Sequence, residues 1–133
     1  MKSTLLFLPS FITEASLLTS QTKTKLFKIF KLLSDNPRHP SLQTSKIKPH
    51  NILYECRVDK TYRLVFDVQN NQLRLWSVGR HDGPLKFGEL KSATSIHSDD
   101  SSVEDAIDFM TNRQFIELDY NNIVYILLNK QNV

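Results

Sequence analysis

Residues 62–82 read Tyr-Arg-Leu-Val-Phe-Asp-Val-Gln-Asn-Asn-Gln-Leu-Arg-Leu-Trp-Ser-Val-Gly-Arg-His-Asp. Apolar and polar residues alternate on both sides of Asn70-Asn71, and a period of two around an asparagine turn is a β-hairpin signal. In the first arm Tyr62, Leu64, Phe66 and Val68 fall on one face, and Thr61, Arg63, Val65 and Asp67 on the other. In the second arm Leu73 and Leu75 alternate with Arg74, Trp76 and Val78. A sheet built on such a hairpin buries one face and holds cationic side chains on the other. The second arm runs into Gly79-Arg80-His81-Asp82, which places polar, reactive groups at a loop root fixed by a rigid strand.

The cationic face agrees with how charge is spread along the chain. Net charge is only +3, but residues 1–87 carry 14 basic and 6 acidic residues, a balance of +8, while residues 88–133 carry 3 basic and 8 acidic. A body this basic implies a polyanionic partner. With 133 residues, 40% of them hydrophobic, the chain has enough apolar material for a globular core. The single cysteine, Cys56, excludes an internal disulfide and points to a reducing, cytoplasmic setting. Lying in a strand-like run with Ile52, Tyr54 and Val58, it reads as a small buried apolar group and not as a nucleophile. No apolar run approaches the roughly 18 residues of a membrane span. Residues 1–18, interrupted by Pro9 and Glu14, read as a strand and a helix and not as a leader. No His, Cys or carboxylate cluster has metal-ligand spacing and no glycine-rich loop cradles a phosphate, so neither metal nor cofactor is expected.

Residues 3–8 read as a first strand that Pro9 ends. Ser10 is placed to cap a helix with Phe11, Ile12, Ala15 and Leu18 on one face. After a polar stretch, Leu26, Ile29, Phe30 and Leu33 recur at helical spacing, and Lys23, Lys25, Lys28 and Lys31 read as a solvated face. Asn36-Pro37 stops that helix. Residues 36–50 form a loop in which His39 packs or caps locally. Residues 52–58, 61–68 and 73–78 are three antiparallel strands, the first two joined through Asp59-Lys60. Residues 86–102 read as a linker, and Ser101 with Glu104 as a capping box for a short helix through Met110. Residues 114–118 and 123–128 flank Asp119 to Asn122 as a second hairpin. The expected fold is α+β: an N-terminal strand and helical hairpin packed on an antiparallel sheet, then a C-terminal helix and β-hairpin extension. The boundary between body (1–87) and acidic extension (88–133) is placed after Phe87.

The order of a short strand, a helical hairpin ending in Asn36-Pro37-Arg38-His39-Pro40-Ser41-Leu42, then Tyr62-Arg63-Leu64, then Val78-Gly79-Arg80-His81-Asp82 resembles the RelE/ParE toxin superfamily. More narrowly it resembles the branch labelled plasmid stabilisation or RelE/StbE-type toxins, over residues 3 to about 87. The resemblance implies a RelE-like domain whose four-stranded sheet carries a basic concave face. It also implies the toxin half of a type II toxin–antitoxin pair, with a cognate antitoxin as partner. Many members are mRNA interferases, endoribonucleases that cut messenger RNA in the ribosomal decoding site without metal and so inhibit translation; ParE-like members poison DNA gyrase. By the resemblance Arg63 contacts the phosphate near the cut, His81 is a candidate acid or base, and Asp82 is the acidic residue that follows it. The chain departs from the pattern at Ser45, where a histidine is common, and at Leu85, where a tyrosine is.

The residues support that chemistry in part. Metal-independent RNA cleavage needs a base for the 2′-hydroxyl proton, cations for the phosphorane and an acid for the leaving oxygen. His81 suits the acid–base work, and Arg63, Arg57 and Arg80 supply cations. Arg57 and Arg63 fall in the polar phases of adjacent strands and are expected side by side. Lys46 and Lys48 are placed to close an RNA-binding groove, and Trp76 or Phe87 to stack on an exposed base. Two readings stay open: the endoribonuclease, and a non-catalytic protein of the same fold, either a gyrase poison or an inactive relative. For the extension three roles stay open: covering a sheet edge, folding back over the basic sheet, or swapping onto a second copy to make a homodimer.

Overall fold

The computed structural model describes residues 3–47, 52–80 and 115–129. These form β1 (Thr4–Phe7), α1 (Pro9–Ser16), α2 (Ser20–Asp35), a 3-10 turn (Pro40–Leu42), β2 (Ser45–Lys46), β3 (Tyr54–Arg57), β4 (Tyr62–Gln69), β5 (Gln72–Arg80), β6 (Ile116–Glu117) and α3 (Tyr120–Asn129). The expected α+β architecture is present, with six strands in one sheet ordered β2-β3-β4-β5-β1-β6. The sheet is antiparallel except where β1 runs parallel to β5. The expected linker, capping-box helix and boundary after Phe87 lie outside the described residues.

The hairpin of β4 and β5 is the spine. Asn70 and Asn71 both take positive φ, 52° and 20°, which a two-residue turn matched to strand twist requires and asparagine tolerates. Val65 pairs with Ser77 and the next residue, Phe66, with Leu75, so Trp76 is the extra residue of a β-bulge. The bulge corrects one expectation. Val78, placed by strict alternation with Arg74 and Trp76, instead lies opposite Leu64, and it is 1% exposed. Its backbone N–H donates to Glu14 Oε1 of α1 at 3.0 Å.

Helices α1 and α2 supply the core's other layer. α1 begins on Pro9, whose missing N–H belongs to the unpaired first turn; Leu8 takes the cap position without a side-chain bond, so Ser10 is not the cap. α2 is capped by Thr19, whose side chain accepts from the Thr22 N–H. Its inward residues include Leu26, Ile29, Phe30 and Leu33, as expected. Lys23 departs from expectation. It is 1% exposed, and its Nζ donates to the Leu127 carbonyl at 2.9 Å, near the C-terminal end of α3. Burial lowers the pKa of this amine.

The end of the chain carries the second correction. Residues 123–128, expected as a strand, lie inside helix α3. The run is apolar throughout, a pattern that does not separate a buried strand from a buried helix. Asp119 decides locally: its carboxylate accepts from the Asn122 N–H at 2.8 Å and its carbonyl from the Ile123 N–H, so it caps the helix where a hairpin turn was expected. Ile123 and Leu127, one turn apart, are fully buried. β6 pairs with β1, so the extension covers a sheet edge. Just before β6, Phe115 packs edge-to-face on Trp76, with ring centroids 5.6 Å apart.

Candidate nucleic-acid interface

β3 and β4 pair so that Arg57 lies directly opposite Arg63. Arg57 follows the buried Cys56 and Arg63 precedes the buried Leu64, these two being paired with each other, and alternation sends both arginine side chains to the other face of the sheet. Like charges directly opposite one another destabilise a sheet. What holds these two is a set of neutral acceptors. Arg63 Nη1 donates to the carbonyls of Asp59, at 2.8 Å, and Tyr62, at 3.2 Å. Arg57 Nε reaches the same Asp59 carbonyl at 3.4 Å, and its Nη1 reaches Gln43 Oε1 at 3.2 Å. Neither arginine forms an ion pair among the described residues. Two guanidiniums fixed together, each with donors left over, suit a phosphate or another oxyanion. Glu55 shares the face at the next paired position, and by register so does Ser45.

The turn between β3 and β4 is built to keep that carbonyl in place. Asp59 Oδ1 accepts from the N–H groups of Thr61 and Tyr62, both at 2.8 Å, and Lys25 Nζ lies 3.5 Å from Oδ2. Burial alone would raise the Asp59 carboxyl, but those two backbone donors and the Lys25 charge outweigh it, and the pKa is lowered. A depressed carboxylate stabilises the fold above its unfolded pKa of about 3.9 and loses that contribution as pH falls through the folded value. Asp59→Ala is expected to lower stability by roughly 1–3 kcal/mol at pH 7, and the deficit should shrink as both proteins are unfolded at successively lower pH toward 3. An equal deficit at pH 7 and pH 3 would count against the ionised turn.

The remaining candidates fall in three groups. Lys46 pairs with Tyr54, and Arg80 with Tyr62, so alternation puts both in the opposite phase to Arg57 and Arg63. Trp76 is corrected as a base-stacking residue: it is 3% exposed, its Nε1 donates to Asp67 Oδ2 at 2.6 Å, and Phe115 covers it. His81, Asp82, Lys48 and Phe87 lie outside the described residues. His39 caps locally, its Nδ1 lying 3.2 Å from the Ser41 N–H. Burial, first, and then the charge of Glu55 push the Cys56 thiol up to about 12, against a smaller opposing effect of Arg63, as befits a packed residue and not a nucleophile.

Sequence reasoning missed Gln43, Asp59 and Asp67. The signal for Asp59 was there, an Asx turn in an Asp-Lys-Thr link; Gln43 left none. Cavities among the described residues lie elsewhere. One of about 590 Å³, between β1, α2 and the start of α3, is lined by three carboxylates, Asp35, Glu117 and Asp119, against the single cation Lys31, a balance that does not suit a phosphate. One of about 290 Å³ is walled by Tyr54, Phe66 and Val68 with Arg38 at its side. Among the described residues no group of three or more His, Cys, Asp or Glu could hold a metal ion, and no helix is long and apolar enough to cross a membrane.

No protein-family model matches the chain, and no curated protein matches it. Solved structures do. The archaeal RelE–RelB complex from Pyrococcus horikoshii OT3 is similar with a TM-score of 0.54 at 13% identity, over 62% of this chain and 98% of that one. The YoeB/ParE toxin from Agrobacterium tumefaciens gives 0.53 at 15% identity, over 61% and 99%. A mutant of the E. coli toxin RelE in the free state gives 0.51 at 24% identity, over 62% and 86%. At these identities the likeness is one of fold.

Proposed function

We propose that this chain, which has the fold of the RelE and YoeB/ParE toxins, is the toxin of a type II toxin–antitoxin pair and cuts messenger RNA on the ribosome without metal. The observation that carries the reading is the Arg57–Arg63 pair, set face to face on neutral acceptors. In such a cleavage the 2′-oxygen attacks the adjacent phosphorus, the P–O5′ bond breaks, and negative charge grows on the non-bridging oxygens in between. Guanidiniums already fixed at that place stabilise the charge without reorganising. His81, next after the end of β5, is the proton carrier in this reading and Asp82 its neighbour. Lys46, Lys48 and Arg80 contribute attraction for the RNA backbone, and Phe87 takes the stacking role that Trp76 does not fill. The partner is a cognate antitoxin, and the setting is the cytoplasm.

A specific observation favours a second reading, a non-catalytic toxin or inactive relative of the same fold. On the arginine face Ser45 stands opposite Glu55, and Trp76 is buried, so that face holds cations without a histidine or a free aromatic among the described residues.

Induced expression of the chain, with growth and message 5′ ends followed together, separates the two. The nuclease reading expects arrest with new 5′ ends, and a drop in cutting of about 10²–10³-fold in Arg63→Ala, the usual effect of losing one preorganised charge-stabilising donor. Arrest with intact message would transfer the target to gyrase. Absence of arrest would leave the fold without the chemistry.

A further inference from the structure

Arg57 is tied to two separate loops. Its Nε meets the Asp59 carbonyl in the β3–β4 turn, and its Nη1 meets Gln43 Oε1 in the loop that follows the 3-10 turn. Gln43 reaches that position from an unusual backbone. Its φ of 50° and ψ of 49° are left-handed, although glutamine is neither glycine nor one of the short polar residues that visit this region readily. Left-handed backbone at a residue of this kind is retained where the surroundings over-determine it, and such residues cluster at binding sites. Here the surroundings are identified. The Gln43 N–H donates to the Pro40 carbonyl at 3.2 Å, and beside it Thr44 Oγ1 donates to the Pro37 carbonyl at 2.7 Å. Leu42, fully buried, anchors the segment in the core.

The chemistry of the acceptor matters as much as its place. A carboxylate at position 43 would orient Arg57 more strongly, but it would neutralise half of the dication. A carboxamide oxygen orients the guanidinium and leaves its charge available to an incoming anion. We infer that Gln43 is a positioning residue of the Arg57–Arg63 pair, holding Arg57 toward a phosphate of single-stranded RNA while keeping the pair doubly charged. This inference rests on the reading of the pair as a phosphate site.

Two substitutions separate orientation from charge. Gln43→Glu keeps the acceptor and adds a negative charge. Gln43→Asn keeps a residue at ease in left-handed backbone but is one methylene too short to reach Arg57. The probe is a fluorescein-labelled ten-residue oligouridylate, with the dissociation constant measured by anisotropy at several KCl concentrations on the full chain, beside thermal melts. Gln43→Glu is expected to weaken binding at least about 10-fold at low salt and to flatten the salt dependence by roughly 0.7 in slope, the loss of about one phosphate contact to a single strand. Gln43→Asn is expected to weaken binding about 3-fold with an unchanged slope. Both should melt with the parent chain, a pattern that a merely structural role would not produce.

Arg57→Ala and the Arg57→Ala/Arg63→Ala double variant tell the two levels of failure apart. If the arginine variants weaken binding while Gln43→Glu matches the parent at every salt concentration, Gln43 does not position the pair and the inference is wrong. If the double variant binds as the parent does, the phosphate reading itself falls, and the inference with it.

Discussion

Asp67→Ala is expected to lower the unfolding free energy by about 3–5 kcal/mol, the range for removing one partner of a buried ion pair. Asp67 is 1% exposed and accepts from Arg74 Nε at 2.9 and 3.2 Å and from Trp76 Nε1 at 2.6 Å. Alanine would leave a guanidinium only 7% exposed with no counter-charge there, and an indole N–H with no acceptor. Arg74 has little reserve: its Nη2 already lacks a hydrogen-bond partner among the described residues, and its carbon lies 5.6 Å from the centre of the Phe115 ring. Urea unfolding of the single variant and of Asp67→Leu/Arg74→Met checks the mechanism. The double variant should recover the part of the loss that comes from the unpaired guanidinium, while the Trp76 N–H still lacks its acceptor. A single-variant loss below about 1 kcal/mol would mean that the pair is hydrated in solution.

Phe30→Ala should have an effect of similar size, about 3–5 kcal/mol, by a different route. Phe30 is fully buried at the meeting point of Phe7, Phe11 and Phe27, with ring centroids 5.5, 6.1 and 6.5 Å away, the first of them edge-on. β1, α1 and α2 each contribute to this cluster, so the cavity opens where three elements join and cannot collapse by moving one. Against a usual total stability of about 5–15 kcal/mol, a melting midpoint at least about 10 °C lower is expected in calorimetry. A shift of only a few degrees would mean that neighbouring rings refill the space.

What could be read in advance followed from periodicity, and what could not depended on contacts distant in the chain. Asn70-Asn71 between alternating arms located the central hairpin, and the polar phases of β3 and β4 put Arg57 beside Arg63. Strict alternation then failed at Trp76, because a bulge adds a residue without leaving a mark in a hydrophobicity pattern. Alternation therefore puts Val78 on the wrong face and offers the buried Trp76 to a ligand that cannot reach it. Lys23 read as solvated because its partner, the Leu127 carbonyl, is 104 residues away. The helix at residues 120–129 was hidden by an apolar run that fits either period, although Asp119 gave a usable cap. Of the candidate site, the cationic side chains were legible; the backbone carbonyl and the carboxamide that aim them were not, since any residue supplies a carbonyl and glutamine announces no role.

The pairing of β6 with β1 has a consequence during synthesis. β1, Thr4–Phe7, is synthesised long before the strand that pairs with its outer edge, Ile116–Glu117. At about 5–20 residues per second, translating residues 81–117 takes roughly 2–7 s. Until Phe115 and Ile116 are made, the outer edge of β1 lacks its β6 partner and Trp76 lacks the ring that packs edge-to-face on it.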